Sequence, residues 1–308
     1  PYSIPEEIKA FLDLTSGHDR GRIYRLVSPE MKRLRPERLG DMPNVKIATF
    51  LNHDNAWHCM TAMRLLSERQ DRSVDRTLYA ILSGSDNPLG RLHALHALQS
   101  LQLLTPRHLR QGIADKHPRV RAAAVKLSEP FLEEQLSEDV LSDLLPLADD
   151  PSEHVRFQLA FTLGESADDR ATAGLAQLLL DPRNGKDIQT AVLSSVSGNA
   201  DKLATRLIST SHRNSARTSA LLSQLGQIAG SDPQTAAAVR MLASIADDEV
   251  SASDQRASLS GLGKGLAARG STVRKLVADK TVAAEVSQNI ATLFSNAVRS
   301  AQDENKSL

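Results

Sequence analysis

The 308-residue chain is short of aromatic residues, 3% of the total, and of cysteine, with Cys59 alone. Few aromatics weigh against a sheet protein, because strands draw on Tyr, Phe and Trp as well as Val and Ile. The abundant Ala and Leu favour helices. A single cysteine excludes an internal disulfide, a multi-cysteine zinc site and a Cys-x-x-Cys-His haem attachment within this chain. No apolar run approaches the roughly 18 residues of a membrane span, and no signal-peptide pattern opens the chain. The start at Pro1, without Met, suggests a processed protein or an excised fragment. Charge of one sign is missing too: 37 basic residues balance 37 acidic ones, so no global field draws the protein to nucleic acid or an anionic membrane.

The local exception is residues 19–38, where Arg20, Arg22, Arg25, Lys32, Arg33, Arg35 and Arg38 face only Asp19, Glu30 and Glu37. Inside it "GRIYRLV" (21–27) reads as a short strand, the one break in an otherwise helical text. With 41% hydrophobic residues the chain can bury a core, and the expected class is all-α.

That core is built from repeats. "NHDNAWHCMTAMRLLSE" begins at Asn52, "GSDNPLGRLHALHALQSL" at Gly84, "ADKHPRVRAAAVKLSE" at Ala114 and "ADDPSEHVRFQLAFTLGE" at Ala148. Each has an Asp near a turn, then a basic anchor (His58, Arg91, Arg121, Arg156), then apolar residues at helical spacing. By subtraction the anchors step by 33, 30 and 35 residues, enough for two short helices and two turns. Second helices are expected over Val74–Leu82, Pro106–Ile113, Asp139–Leu147 and Ala171–Leu180, with Thr105 and Ser137 as hydroxyl caps. A fifth unit follows from Asp181, weaker ones lie at 215–229 and 254–268, and the pattern decays toward the C-terminus. The expected organisation is an extended, basic segment at 1–40 and an α-solenoid at 41–308, clearest over 41–180 and degenerate after about 195.

The "HPRVRAAAV" and "PSEHVRFQLA" segments resemble the D-P-x-V-R-x-x-A core of short bacterial HEAT repeats. The resemblance implies a HEAT-like α-solenoid of stacked helix pairs, with the helix at the Val-Arg pair on the concave side. Residues 1–100, through "PYSIPEEIKAFLDLTSGHDRGRIYRLVSPEMKRLRPERLG", "LNHDNAWHCMTAMRLLSERQD" and "PLGRLHALHAL", look like the junction in planctomycete-type membrane-bound dehydrogenases. Those join a β-propeller, HEAT repeats and a c-type cytochrome. The resemblance implies that "GRIYRLV" is the last propeller strand; folding back as an extended cap on the first repeat is the equal alternative. It also implies an exported or periplasmic parent with haem elsewhere and no cofactor in this chain. Partners would be other proteins or neighbouring domains, in preference to nucleic acid.

Few residues suggest chemistry. His93 and His96, three apart on a helix, could share a metal, but no third ligand lies nearby. His58 and Cys59 point about 100° apart on a helix, which blocks a nucleophile–base pair, and Cys59 reads as a small buried residue. Trp57, the only Trp, reads as a packed anchor between repeats. Asp54, Asp86, Asp115 and Asp150 precede the anchors by four to six residues, so a ladder of caps and ion pairs between repeats is expected. "GLGKGLAARGS" (261–271) lacks the order of a phosphate loop and reads as a helix whose glycines allow close packing.

No catalytic residue is expected. The reading is a non-catalytic scaffold whose interaction surface would include Trp57, His58, Arg91, His93, His96, Arg121 and Arg156. Two alternatives stand beside it: a DNA glycosylase-like nucleic-acid binder, disfavoured by neutrality and few aromatics, and a chromophore-lyase-like repeat protein.

Overall fold

A computed structural model describes residues 4–13, 28, 30, 37–132, 139–196, 198–210, 216–247, 250–278, 286–292 and 294–295. The "GRIYRLV" segment and the Ser137 cap lie outside these residues. The chain divides into two units, 1–38 and 39–308. The first holds α1 (Glu6–Lys9), where Lys9 pairs with Glu6 at 2.5 Å.

The second unit is helical throughout its described length. In chain order it runs α2 (Asn44–Thr49), α3 (Ala56–Arg69), α4 (Asp75–Gly84), α5 (Pro88–Ser100), α6 (Pro106–Ile113), α7 (Pro118–Leu127), α8 (Val140–Leu144) and α9 (Glu153–Gly164). Then follow α10 (Asp169–Leu180), α11 (Lys186–Ser195), α12 (Ala200–Thr210), α13 (Ala216–Ser231), α14 (Ala236–Ile245), α15 (Ala252–Ala268) and α16 (Val273–Val277). No strand occurs among the described residues.

These helices form an α-solenoid of two layers. In one layer α3, α5, α7, α9 and α11 pack side by side, and α13 packs on α15. The other layer runs through α2, α4, α6 and α8, then α10, α12 and α14. Successive members of the two layers cross-pack as α2 on α3, α4 on α5, α6 on α7, α9 on α10 and α12 on α13. One apolar core fills the space between the layers, from Leu39 and Ile47 to Leu276, including Leu66, Leu78, Leu95, Leu98, Leu109, Leu144, Leu159 and Leu163. No single pair could bury these residues alone, so stacking is what holds each repeat in place.

The local sequence explains where the helices start. Asn55, Asn87 and His117 each accept a hydrogen bond from the backbone N–H two residues on, and Pro88, Pro106 and Pro118 open their helices, where proline loses no intrahelical bond. Thr105 caps α6 as expected, completed by His108, whose Nδ1 accepts the Thr105 N–H at 3.2 Å. The expected second helix at Asp139–Leu147 is α8 followed by a 3-10 turn at Leu145–Asp149; Pro146 has no N–H to continue the α ladder.

Candidate functional site

The basic anchors are placed first by their hydrogen bonds. Arg91 donates Nε and Nη2 to Asp115 at 2.6 and 2.7 Å, and Arg121 donates the same pair to Asp150 at 2.7 and 2.8 Å. Each also donates Nη1 to the carbonyl six residues before itself, Ser85 O and Asp115 O respectively. Arg156 makes the same backward bond to Asp150 O and reaches forward to Asn184 Oδ1 at 2.8 Å. Each arginine therefore fastens its own loop to the loop of the next repeat. Burial acts to raise the Asp115 carboxyl, yet the Arg91 fork and the His117 N–H hold it below its ordinary value. The ladder expected from the sequence exists at these steps. Arg91 and Arg156 are 3% and 4% exposed, and Arg121 is sunk against Asp150, so all three drop out of the expected interaction surface.

The first repeat corrects the register. The caps Asn55, Asn87, His117 and Ser152 precede Cys59, Arg91, Arg121 and Arg156 by four residues each. Cys59, not His58, occupies the anchor position, and its Sγ donates to His53 O, again six residues back, at 2.8 Å. Likewise the residue two before each cap accepts the cap's N–H: His53, Ser85, Asp115 and Asp150. Asp54 and Asp86 are thus one position off. A thiol has no second arm to cross to the next loop, so Ser85 turns instead to Asn52 Oδ1 at 2.6 Å. Asp86 is left in solvent, 3.7 Å from Lys116. Cys59 itself is buried, and burial pushes its thiol up.

A second ladder, not foreseen in the sequence, runs along the other layer. Its rungs are Asp75–His108 at 3.7 Å, Arg110–Asp143 at 2.7 Å, Asp139–Arg170 at 2.6 Å, Asp169–Lys202 at 2.9 Å and Asp201–Arg240 at 2.5 Å. Several pair a residue at the start of one helix with a basic side chain 31 to 39 positions later. The signal was the repeat period applied to charge pairs on the second helices.

With the arginines internal, the outward face of the α3–α9 layer carries the accessible groups. Two residues after their caps stand Trp57 and Leu89, 60% and 59% exposed; five after stand Met60 and Phe157; nine after stand His96 and Phe161. Trp57 is therefore no packed anchor. It meets the ring of His58 edge-on at 5.1 Å, and His58 in turn lies 4.4 Å from His53. His93 sits on the same face, but its Nδ1 is engaged by Leu51 O at 3.1 Å. No group of three or more possible metal ligands occurs among the described residues. On α7 the matching positions are Arg119 and Lys126, both exposed. Phe157 and Phe161 pack edge to face at 5.1 Å and line an open groove of about 550 Å³ between α9 and α11, bordered by Glu153, His154 and Asp187. Sequence reasoning missed both phenylalanines.

The family model for HEAT repeats matches residues 105–196. That stretch spans α6 to α11 and contains the Arg121–Asp150 and Arg156–Asn184 rungs. Over these residues the chain is similar to HEAT repeats. No curated protein matches the chain. Among the described residues no helix is long and apolar enough to cross a membrane.

Proposed function

We propose that the chain is a non-catalytic scaffold that holds a protein partner on the outward face of the α3–α9 layer. The observation that carries this is the exposure of Phe157 and Phe161, 36% each, over a groove bordered by carboxylates. Exposed aromatics beside an open groove cost solvation in isolation, and aromatic residues dominate the energetics of protein interfaces. Glu153 and Asp187 favour a basic residue beside the apolar side chain that would enter the groove. No cofactor of its own is part of the proposal.

Panning a random peptide library on the whole chain tests it. Enrichment of peptides with an apolar residue flanked by Lys or Arg is expected, and loss of that enrichment on a Phe157→Ser/Phe161→Ser variant. Equal enrichment on the variant would overturn the assignment of the face.

The finer proposal, that the scaffold joins an oxidising domain to a haem domain, is supported by the resemblance of residues 1–100 alone. The mass and haem absorbance of the full parent product test it; a product of only this length without haem would sink it.

A further inference from the structure

The second-layer ladder has one faulty rung, and the fault leaves positive charge around a cavity. Between α4 and α6, Arg72, Asp75, Arg76, Tyr79, Arg107 and His108 line a hollow of about 390 Å³. Its formal charge is three guanidinium groups against one carboxylate, or +2. His108 adds none: its Nδ1 accepts the Thr105 N–H, and burial, opposed by Asp75, holds its pKa below the ordinary value. Elsewhere along this layer Arg110, Arg170, Lys202 and Arg240 are each matched by an aspartate. Here Asp75 faces the neutral His108 at 3.7 Å. Among the described residues Arg76 has no hydrogen bond or ion pair. Arg107 lies 4.1 Å over the Tyr79 ring and Arg72 is anchored on Gln102 O at 2.7 Å, so both guanidinium groups are held in place.

We propose that this cavity binds a compact phosphate-bearing ligand, with Arg76 and Arg107 taking the phosphoryl oxygens. A +2 surround matches a phosphate dianion, whereas a single carboxylate would leave one charge uncompensated. The planar guanidinium fork fits phosphate oxygens in pairs, and the volume lies in the range of small-ligand sites. Tyr79 supplies an apolar wall for whatever carries the phosphate. The site is separate from the outward face of the α3–α9 layer and does not depend on the scaffold reading.

Calorimetric titration of the whole chain with inorganic pyrophosphate, at constant ionic strength against chloride, tests the proposal. Saturable binding is expected, weakened about tenfold or more by Arg76→Ser, the loss of one charge-assisted contact. Arg76 has no partner among the described residues, so this variant keeps its melting temperature, while Arg183→Ser, which removes an arginine matched by Asp181 and Asp149, keeps its affinity. Vesicles of phosphatidylcholine with and without a phosphomonoester lipid distinguish the source. Vesicle binding that pyrophosphate displaces assigns the ligand to a lipid headgroup; pyrophosphate binding without it assigns a free phosphate compound. Equal affinity in wild type and Arg76→Ser, or a response no larger than that to chloride, would overturn the site. Binding of duplex DNA through the same arginines, with no pyrophosphate binding, would also overturn it in favour of a nucleic-acid surface.

Discussion

The α5–α7–α9 stack and the α13–α15 pair solve the same problem by different means. Both must hold one repeat in register on the next. In the first, buried arginines cross from loop to loop, so register is set by the identity of charged partners. In the second the helices come so close that glycine is required at the contact. A Cβ at Gly261 would lie 1.9 Å from Ser223 O, and one at Gly265 2.2 Å from Gln227 O. Gly226 and Gly230 oppose them, four apart on α13, against Ser258 O and Leu262 O. At the anchor position, four residues after the cap Ser251, stands the buried Gln255, whose Nε2 donates to the Ile245 and Asp247 carbonyls at 3.1 and 3.2 Å. A repeat can therefore lose its charge signature while its packing tightens. The decay of the motif after residue 195 is a change of mechanism.

Breaking a charged rung should cost most. Asp115→Ala leaves Arg91 buried without its partner, and about 4 kcal/mol of stability should be lost in urea unfolding. Because the folded Asp115 carboxyl is held below its ordinary 3.8, its contribution is present above that pH and disappears as pH falls through the lower folded value. The gap between wild type and Asp115→Ala should accordingly narrow below about pH 4.

The glycine seam gives the matching test. Gly261→Ala drives a methyl into backbone that cannot retreat, and should cost about 3 kcal/mol. Gly263→Ala, two residues away on the same helix, meets only Val273 Cγ2 at 4.0 Å. It should stabilise by about 0.8 kcal/mol through helix propensity. Equal effects at the two positions would show that α13 and α15 are not in backbone contact.

Much of this frame was legible in the residues. Arg and Asp at repeat spacing announced the Arg91–Asp115 and Arg121–Asp150 rungs, and Thr-Pro announced α6 at Pro106. The first repeat was misread because "WHC" offers a basic residue beside the true anchor; only the bond from Cys59 to the carbonyl six back reveals the register. Trp57 was misread because a lone Trp is expected inside, although two residues after a cap the helix points outward. Phe157 and Phe161 were overlooked for another reason. Helix α9 is apolar on nearly every side, with Val155, Leu159, Ala160 and Leu163 also in it, so periodicity cannot tell which face is left open. The second ladder was hidden because its charges sit on the helices between the anchors, where single Asp and Arg residues look like ordinary solvated surface.

Rebuilding the absent rung sharpens the comparison. Cys59→Arg alone puts a guanidinium where Ser85 can offer it only a hydroxyl, and Ser85→Asp alone puts a carboxylate opposite a thiol. Both single variants should be less stable than wild type. Together they should recover, with a coupling of about 1.5 kcal/mol in a double-mutant cycle. Zero coupling would mean that the Arg91 geometry depends on more than its two partners.

The exposed ladder should matter least. Lys202 and Asp169 pair at 2.9 Å with side chains 42% and 84% exposed, so water competes for both and salt screens what remains. Lys202→Ala should cost about 0.3 kcal/mol at low ionic strength and nothing measurable in 1 M salt, whereas the Asp115→Ala loss should persist there because that pair is shielded from solvent. A large, salt-resistant loss at Lys202 would mean that the exposed ladder holds the solenoid as firmly as the buried one, and that the contrast between charged and glycine seams is too narrow. A small loss, gone in salt, leaves the outer charges with a different role, in which alternating signs along the second layer keep that surface solvated and disfavour helix pairings out of register.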